Sequence, residues 1–217
     1  MKQYDVLGGL YVAVALAVGM IAREYARAFV ADRLGDPNPR RWGWLSFDPR
    51  VWVDPFGTVI LPALLVILWI AGIHFPPFAY AKPLPFDPTS FRRYKRDVVF
   101  VSIAGPVSNV VLAIVPGVLL RAGLGSISPR VCTFLAVFVL TQLTLTVFHL
   151  LPIPGLDGAR MLALVMPPHA REVYRNLDQY LVLFVLVVFF LLGGVTFTIV
   201  AALRDLLVRV IVGNAAC

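Results

Sequence analysis

Three charged residues interrupt an apolar run near the start of the chain, in the stretch GMIAREYARAF, residues 19–29. Arg23 and Arg27 are four residues apart and therefore share one face of a helix, with Glu24 about 100° round from Arg23. Two histidines at this spacing beside a glutamate would bind zinc and activate its water. Arginine cannot do this, because its guanidinium stays protonated and offers no lone pair. Taken alone, the stretch favours the charged end of a helix.

A single acid follows two prolines in a second stretch, FHLLPIPGLDGAR, residues 148–160. Pro152 and Pro154 end the helix, and the two glycines permit a tight backbone before Asp157. An acid at membrane depth costs about 2.5–3.5 kcal/mol on insertion scales and is by default functional or paired. The alternative is that Asp157 begins a hydrated turn at the membrane interface. This stretch alone leaves both readings open.

Small and polar residues recur at helical spacing in a third stretch, SIAGPVSNVV, residues 102–111. Ser102 and Gly105 would let another helix approach closely, and Asn109 could donate or accept a hydrogen bond across that contact. This pattern predicts a helix-packing face.

The composition of the chain indicates that these three stretches lie on the helices of a membrane protein. Of 217 residues, 59% are hydrophobic and 14% are charged, and the mean hydropathy is +0.84, which excludes an ordinary soluble domain. Lys and Arg number 19 against 12 Asp and Glu, with basic clusters in short loops such as FRRYKRD, residues 91–97. Such loops indicate contact with anionic lipid rather than with nucleic acid.

Five apolar segments are long enough, or nearly so, to cross a hydrocarbon core of about 30 Å. They are 6–30, 57–74, 98–120, 131–153 and 181–203, the last extending to about 212. Segment 57–74 is the shortest and contains Pro62, so it could be re-entrant or tilted. The sequence predicts an all-α integral membrane protein, a bundle of about five or six transmembrane helices forming one polytopic domain, 1–217. With five crossings the loop charges divide almost equally, so they do not fix the orientation.

Three tryptophans lie in the polar stretch between the first two apolar segments. Trp42, Trp44 and Trp52 are predicted to lie in the aromatic belt at the lipid headgroups.

In this order, the three chemical stretches resemble the site-2 protease family, the intramembrane zinc metalloproteases of peptidase class M50. That family carries H-E-x-x-H, then A-G-P-x-x-N, then a stretch such as N-L-L-P-I-P-P-L-D-G. The counterparts here are REYAR, 23–27; AGPVSN, 104–109; and HLLPIPGLDG, 149–158. DPFGT, 54–58, and YAKPLP, 80–85, are similar to stretches of the bacterial branch. The resemblance covers about residues 5–165.

The resemblance implies a role for each matching position. Glu24 stands at the family's catalytic acid/base position, and Asp157 at that of the third zinc ligand. Arg23 and Arg27 stand where the family has its two zinc-binding histidines. Two further departures are His149, where the family usually has asparagine, and Trp52, where related bacterial members often have histidine. Four departures at one site indicate natural loss of the chemistry, so zinc, the family's cofactor, is expected to be absent here.

Loss of zinc would leave Glu24 and Asp157 together in a poorly solvated pocket, where their like charges repel. Guanidinium groups can restore the positive charge and bridge carboxylates. We therefore predict that Arg23 or Arg27 pairs with Asp157 across the bundle as a metal-free ionic staple. Arg27 could instead pair with Glu24 on its own helix.

Three functions are compatible with these residues. The first is an inactive family member that binds a transmembrane segment or another membrane protein, as a regulator or a subunit of a complex. The second is an active intramembrane metalloprotease that uses His149, Glu24 and Asp157. The third is a non-proteolytic enzyme or transport element that uses the same residues for proton transfer. The expected location is the bacterial cytoplasmic membrane.

Overall fold

The computed structural model describes residues 2–213 apart from 47, 52, 73–78, 83, 85–86, 88–89, 124–127, 181–182, 185–186 and 188–192. The described residues form helices and connecting turns, with no strand among them. The α-helices are α1 Lys2–Arg33, α2 Asn38–Arg41, α3 Leu61–Ile70, α4 Tyr94–Arg121, α5 Pro129–His149, α6 Asp157–Ala163, α7 Pro168–Asn176 and α8 Gly193–Ile211.

Three of these helices, α1, α4 and α5, are long and apolar enough to cross a membrane. They correspond to the predicted segments 6–30, 98–120 and 131–153. Each presents apolar side chains on its exposed surface as well as in the bundle, which is the pattern of a helix surrounded by lipid. The prediction of an all-α integral membrane protein is therefore confirmed.

Of the other two predicted segments, 57–74 forms a shorter helix than predicted, and 181–203 is described only in part. In segment 57–74, α3 has 10 residues and directly continues a helical turn of 6 residues, which together make at most about 24 Å of helix, short of the roughly 30 Å of a hydrocarbon core. A wide helical turn, Pro55–Ile60, precedes it, and the Asp54 side chain caps that turn. Residues 181–192 lie largely outside the described residues, and α8 covers most of the remainder of the last segment.

The contacts between the long helices establish their directions. Arg23 of α1 lies beside Gly105 of α4, whereas Ala28, further along α1, shares a core cluster with Val98. Thus α4 is antiparallel to α1. The Thr146 hydroxyl of α5 donates to the Pro106 carbonyl of α4 at 3.3 Å. Leu120 and Cys132 share a core cluster, so α5 is antiparallel to α4. The end of α1, the start of α4 and the end of α5 consequently lie at one end of the bundle.

The tryptophans of the polar stretch do not all lie at an exposed belt. Trp42 is 65% exposed, but Trp44 is only 4% exposed and packs in the cluster that contains Ala28 and Phe91. The prediction for Trp44 is wrong because the turn after α2 directs its ring into the core. Trp52 lies outside the described residues.

Candidate functional site

The three charged residues of REYAR lie in the interior of the bundle, on α1. Arg23 and Arg27 are each 3% exposed, and Glu24 is fully buried. α1 continues beyond them to Arg33, so they do not mark the end of the helix. The stretch is therefore not the charged end of a helix, as it would suggest when taken alone. Its charges form part of an internal site.

Both arginines bridge both carboxylates. Arg23 donates through Nη1 to Glu24 and through Nη2 to Oδ2 of Asp157 at 2.6 Å. Arg27 donates through Nη1 to the two Glu24 oxygens at 3.0 and 3.2 Å, and its Nε lies 3.3 Å from Oδ1 of Asp157. The predicted contact between an arginine and Asp157 is therefore present, as is the alternative pairing of Arg27 with Glu24. We call these four residues the ion cluster.

Asp157 reaches the ion cluster because a tight turn ends α5 and α6 begins at Asp157 itself. Gly155 adopts a positive φ of 90°, which only glycine adopts without strain. A Cβ at Gly158 would overlap the Leu150 carbonyl oxygen. Pro154 is buried in this turn, and the exposed Pro152 accepts a hydrogen bond from the Tyr174 hydroxyl at 2.7 Å. The prolines and glycines thus fold the chain back so that Asp157 enters the bundle.

Gly105 provides the space that the two guanidinium side chains occupy. A Cβ at this position would lie 2.8 Å from Cγ of Arg23 and 3.1 Å from Cδ of Arg27. The predicted close approach of α1 and α4 therefore occurs at the ion cluster itself.

Two other predicted site residues are buried but not joined to the ion cluster by hydrogen bonds. Asn109 is fully buried, yet neither atom of its amide has a hydrogen-bond partner among the described residues. The predicted interhelical hydrogen bond is therefore not formed there. His149 is also fully buried. Its Nδ1 lies 2.8 Å from the Leu145 carbonyl oxygen, and its Nε2 has no partner among the described residues.

Arg160 is a site residue that was not predicted. It lies three positions after Asp157 on α6 and is close enough to Arg27 and Asp157 to interact with both electrostatically. In the sequence, only its spacing of three residues from Asp157 on a helix could have indicated this role. That signal is weak, because the same spacing is equally common on a solvated face.

Two other motif stretches, 54–58 and 80–85, contact each other. The Thr58 hydroxyl donates to the Tyr80 carbonyl oxygen at 2.8 Å, and the Tyr80 amide donates to the Gly57 carbonyl oxygen at 3.2 Å. An apolar cavity of about 690 Å³ lies between this contact, α3 and the part of α1 that ends at Met20 and Ile21. We call it the apolar groove.

The residues of the ion cluster do not fit a zinc ion. A zinc site needs three or more lone-pair donors, and the two arginines supply none. The carboxylates of Glu24 and Asp157 are already held by guanidinium groups. Across the described ranges, His, Cys, Asp and Glu side chains form no group of three or more that could hold a metal.

Curated relatives match most of the chain. Two carry the name "Putative zinc metalloprotease": YwhC of Bacillus subtilis and Rip2 of Mycobacterium tuberculosis. YwhC is 32% identical over 186 residues, which are 82% of this chain and 80% of YwhC. Rip2 is 33% identical over 191 residues, which are 87% of this chain and 71% of Rip2.

No family model matches the chain, and no solved structure matches it. The two relatives nevertheless align over more than two thirds of their own length. In the structure the three motif stretches meet at the ion cluster. The chain belongs to the site-2 protease family of intramembrane zinc metalloproteases.

Proposed function

We propose that this chain is a catalytically inactive site-2 protease relative. It binds a transmembrane segment of another membrane protein in the bacterial cytoplasmic membrane, as a regulator or as a subunit of a complex. Residues 1–217 act in this role as one polytopic domain. The observation that carries the proposal is that guanidinium groups hold both carboxylates of the site.

Hydrolysis would require Glu24 to accept a proton from water. A general base must have an oxygen within hydrogen-bond reach of that water. Both Glu24 oxygens accept hydrogen bonds from guanidinium groups, and the side chain is fully buried. Freeing Glu24 would strand Arg27 in the bundle without its closest anion, at a cost of several kcal/mol.

The apolar groove supports the binding role. It lies between α1 and α3, is lined almost entirely by apolar side chains, and reaches α1 one turn before Arg23. A groove with this lining suits an apolar helix better than a polar peptide.

The geometry gives the other two functions less support. A metalloprotease site built on His149 would place zinc beside the positive charges of Arg23 and Arg27, which oppose its binding. Proton transfer through Glu24 or Asp157 would require each carboxylate to leave its guanidinium partner. We therefore propose neither of them.

A photocrosslinking experiment in native membranes tests the proposed function. A photoreactive amino acid replaces Ala17 in the apolar groove, and the control replaces Val115, which is 65% exposed on α4. We expect Ala17 to capture a defined, uncleaved membrane protein and Val115 to capture lipid or nothing. Capture of a cleaved fragment that disappears in the Glu24→Gln variant would overturn the proposal in favour of an active protease.

A further inference from the structure

A second large concavity lies away from the ion cluster, between the start of α4 and the segment that joins α6 to α7. Its volume is about 810 Å³. Because α4 begins at the end of the bundle where α1 and α5 finish, this concavity lies where the long helices leave the hydrocarbon core. We call it the basic groove.

The described lining of the basic groove is basic and contains no acid. Lys95, Arg96 and Arg171 contribute the charges. The neighbouring Asp97 is buried and is already satisfied by the Arg93 backbone amide at 3.0 Å and by Nε of Arg96 at 2.9 Å. Arg96 still exposes half of its side chain, and Lys95 is exposed with no ion pair among the described residues. Asp97 balances the charge of Arg96. Lys95 and Arg171 have no ion pair among the described residues, so the groove carries a net positive charge.

The remainder of the lining is apolar. Val99 comes from α4, Met161 from α6, and Val165, Met166 and Pro167 from the segment that follows α6. Val165 is 80% exposed. A free anion would leave these apolar surfaces in water, whereas an amphipathic ligand would cover them and neutralise the cations at the same time.

The α6 wall of the basic groove is fixed in place. Nε of Arg171 donates to the Ala163 carbonyl oxygen at 2.8 Å, and its Nη2 donates to the Met166 carbonyl oxygen at 3.0 Å. These bonds hold the end of the same helix that carries Asp157 into the ion cluster. A ligand in the basic groove would contact both α4 and α6, and would therefore brace the helix that the ion cluster joins to α1.

We infer that the basic groove binds one anionic phospholipid of the surrounding bilayer. Its phosphate lies against Lys95 and Arg96, and one acyl chain covers Val99 and Val165. A zwitterionic lipid is disfavoured, because its headgroup brings a second positive charge to an already basic site. The inference is independent of the proposed function, since it uses no residue of the ion cluster or of the apolar groove.

Native mass spectrometry of the full chain in detergent tests this inference. The protein is incubated with equal amounts of phosphatidylglycerol and phosphatidylcholine, and the bound lipid is counted. The test variant is Lys95→Gln/Val165→Glu, at two exposed positions, and the control is Arg130→Gln, at the opposite end of the bundle. Thermal unfolding in detergent establishes that each variant is folded; if the double variant is not, Lys95→Gln alone is used.

We expect the unmodified chain and Arg130→Gln to retain one phosphatidylglycerol at least threefold more often than phosphatidylcholine. The test variant should lose most of this preference. Equal retention of the two lipids, or an unchanged preference in the test variant, would overturn the inference. Displacement of the lipid by millimolar inorganic phosphate would also overturn it, because the site would then recognise a free anion.

Discussion

Arg23 and Asp157 are 134 residues apart in the sequence and are joined by a hydrogen bond of 2.6 Å in the interior of the bundle. This bond connects the first long helix to the short helix that follows the proline turn. Zinc would make the same connection in a family member that has its histidines. Here two cations and two anions make it, and their charges balance within the ion cluster.

Removing one anion from the ion cluster should destabilise the protein strongly. Asp157→Asn leaves two buried guanidinium groups facing one carboxylate, and breaking a buried ion pair in this way costs about 3–5 kcal/mol. The free energy of unfolding in mixed micelles measures this loss. The matched control is Asp205→Asn: Asp205 pairs with Arg204 but is 53% exposed, so its loss should cost at most about 1 kcal/mol. Equal effects of the two changes would show that Asp157 does not stabilise the buried arginines.

Removing a cation and an anion together should be less harmful than the two single changes predict. Arg23→Leu/Asp157→Leu leaves Arg27 with Glu24, a pair of opposite charge that remains bonded at 3.0 Å. A double-mutant cycle should therefore give an interaction energy of at least about 1 kcal/mol between Arg23 and Asp157. Strictly additive losses would mean that the two side chains are not coupled.

The space beside Gly105 should contribute to stability as much as the charges of the ion cluster do. Gly105→Ala places a methyl group 2.8 Å from Cγ of Arg23, and overpacking of this kind typically costs about 1–3 kcal/mol. Gly194→Ala on α8 is the matched control, because a Cβ there meets no atom within 4 Å. Unfolding measurements should show a clear loss for Gly105→Ala and none for Gly194→Ala. A stable Gly105→Ala variant would show that the arginines can lie elsewhere.

The end of the bundle that carries the basic groove should face the cytoplasm. The Asp87 backbone amide donates to Asp36 at 2.9 Å, so the loop after α1 and the loop before α4 meet at this end. Their basic residues include Arg92, Arg93, Lys95 and Arg96. The charges of the two loops therefore add together instead of dividing as in the five-crossing count, and an excess of Lys and Arg marks cytoplasmic loops. An epitope tag inserted at Gly123 should be accessible on intact spheroplasts, and a tag at Pro168 only after the membrane is permeabilised. The reverse pattern would show that the charges do not set the orientation.

Periodicity and hydropathy predict the long helices well, because a run of about 20 apolar residues has few structural alternatives in a membrane. The same reasoning overestimates the length of the helix in segment 57–74. Its composition suits a crossing helix, but the helix begins only at Pro55, after the Asp54 cap, and ends at Ile70, which is too short for a full crossing. The helix directions could not be read from the sequence either, because they depend on contacts between helices.

The pairing within the ion cluster follows from simple electrostatics, since two acids in a poorly solvated pocket require cations. The sequence could not show that each arginine contacts both carboxylates. For Asn109 the same kind of prediction failed. A polar residue on a helix-packing face predicts an interhelical hydrogen bond, yet whether a partner lies opposite is decided by the neighbouring helix. Trp44 likewise becomes a core residue through a turn that composition does not specify.

Whether the ion cluster has replaced zinc is tested by the zinc content of the purified chain, measured by elemental mass spectrometry beside the Arg23→His/Arg27→His variant. With its cations replaced by two imidazoles, that variant gains a donor set of two histidines and Asp157, and it should bind zinc. The unmodified chain should contain far less than one zinc per chain, and adding Asp157→Asn to the variant should lower its zinc content. Stoichiometric zinc in the unmodified chain, lost on Asp157→Asn, would show that the site binds the metal despite its arginines.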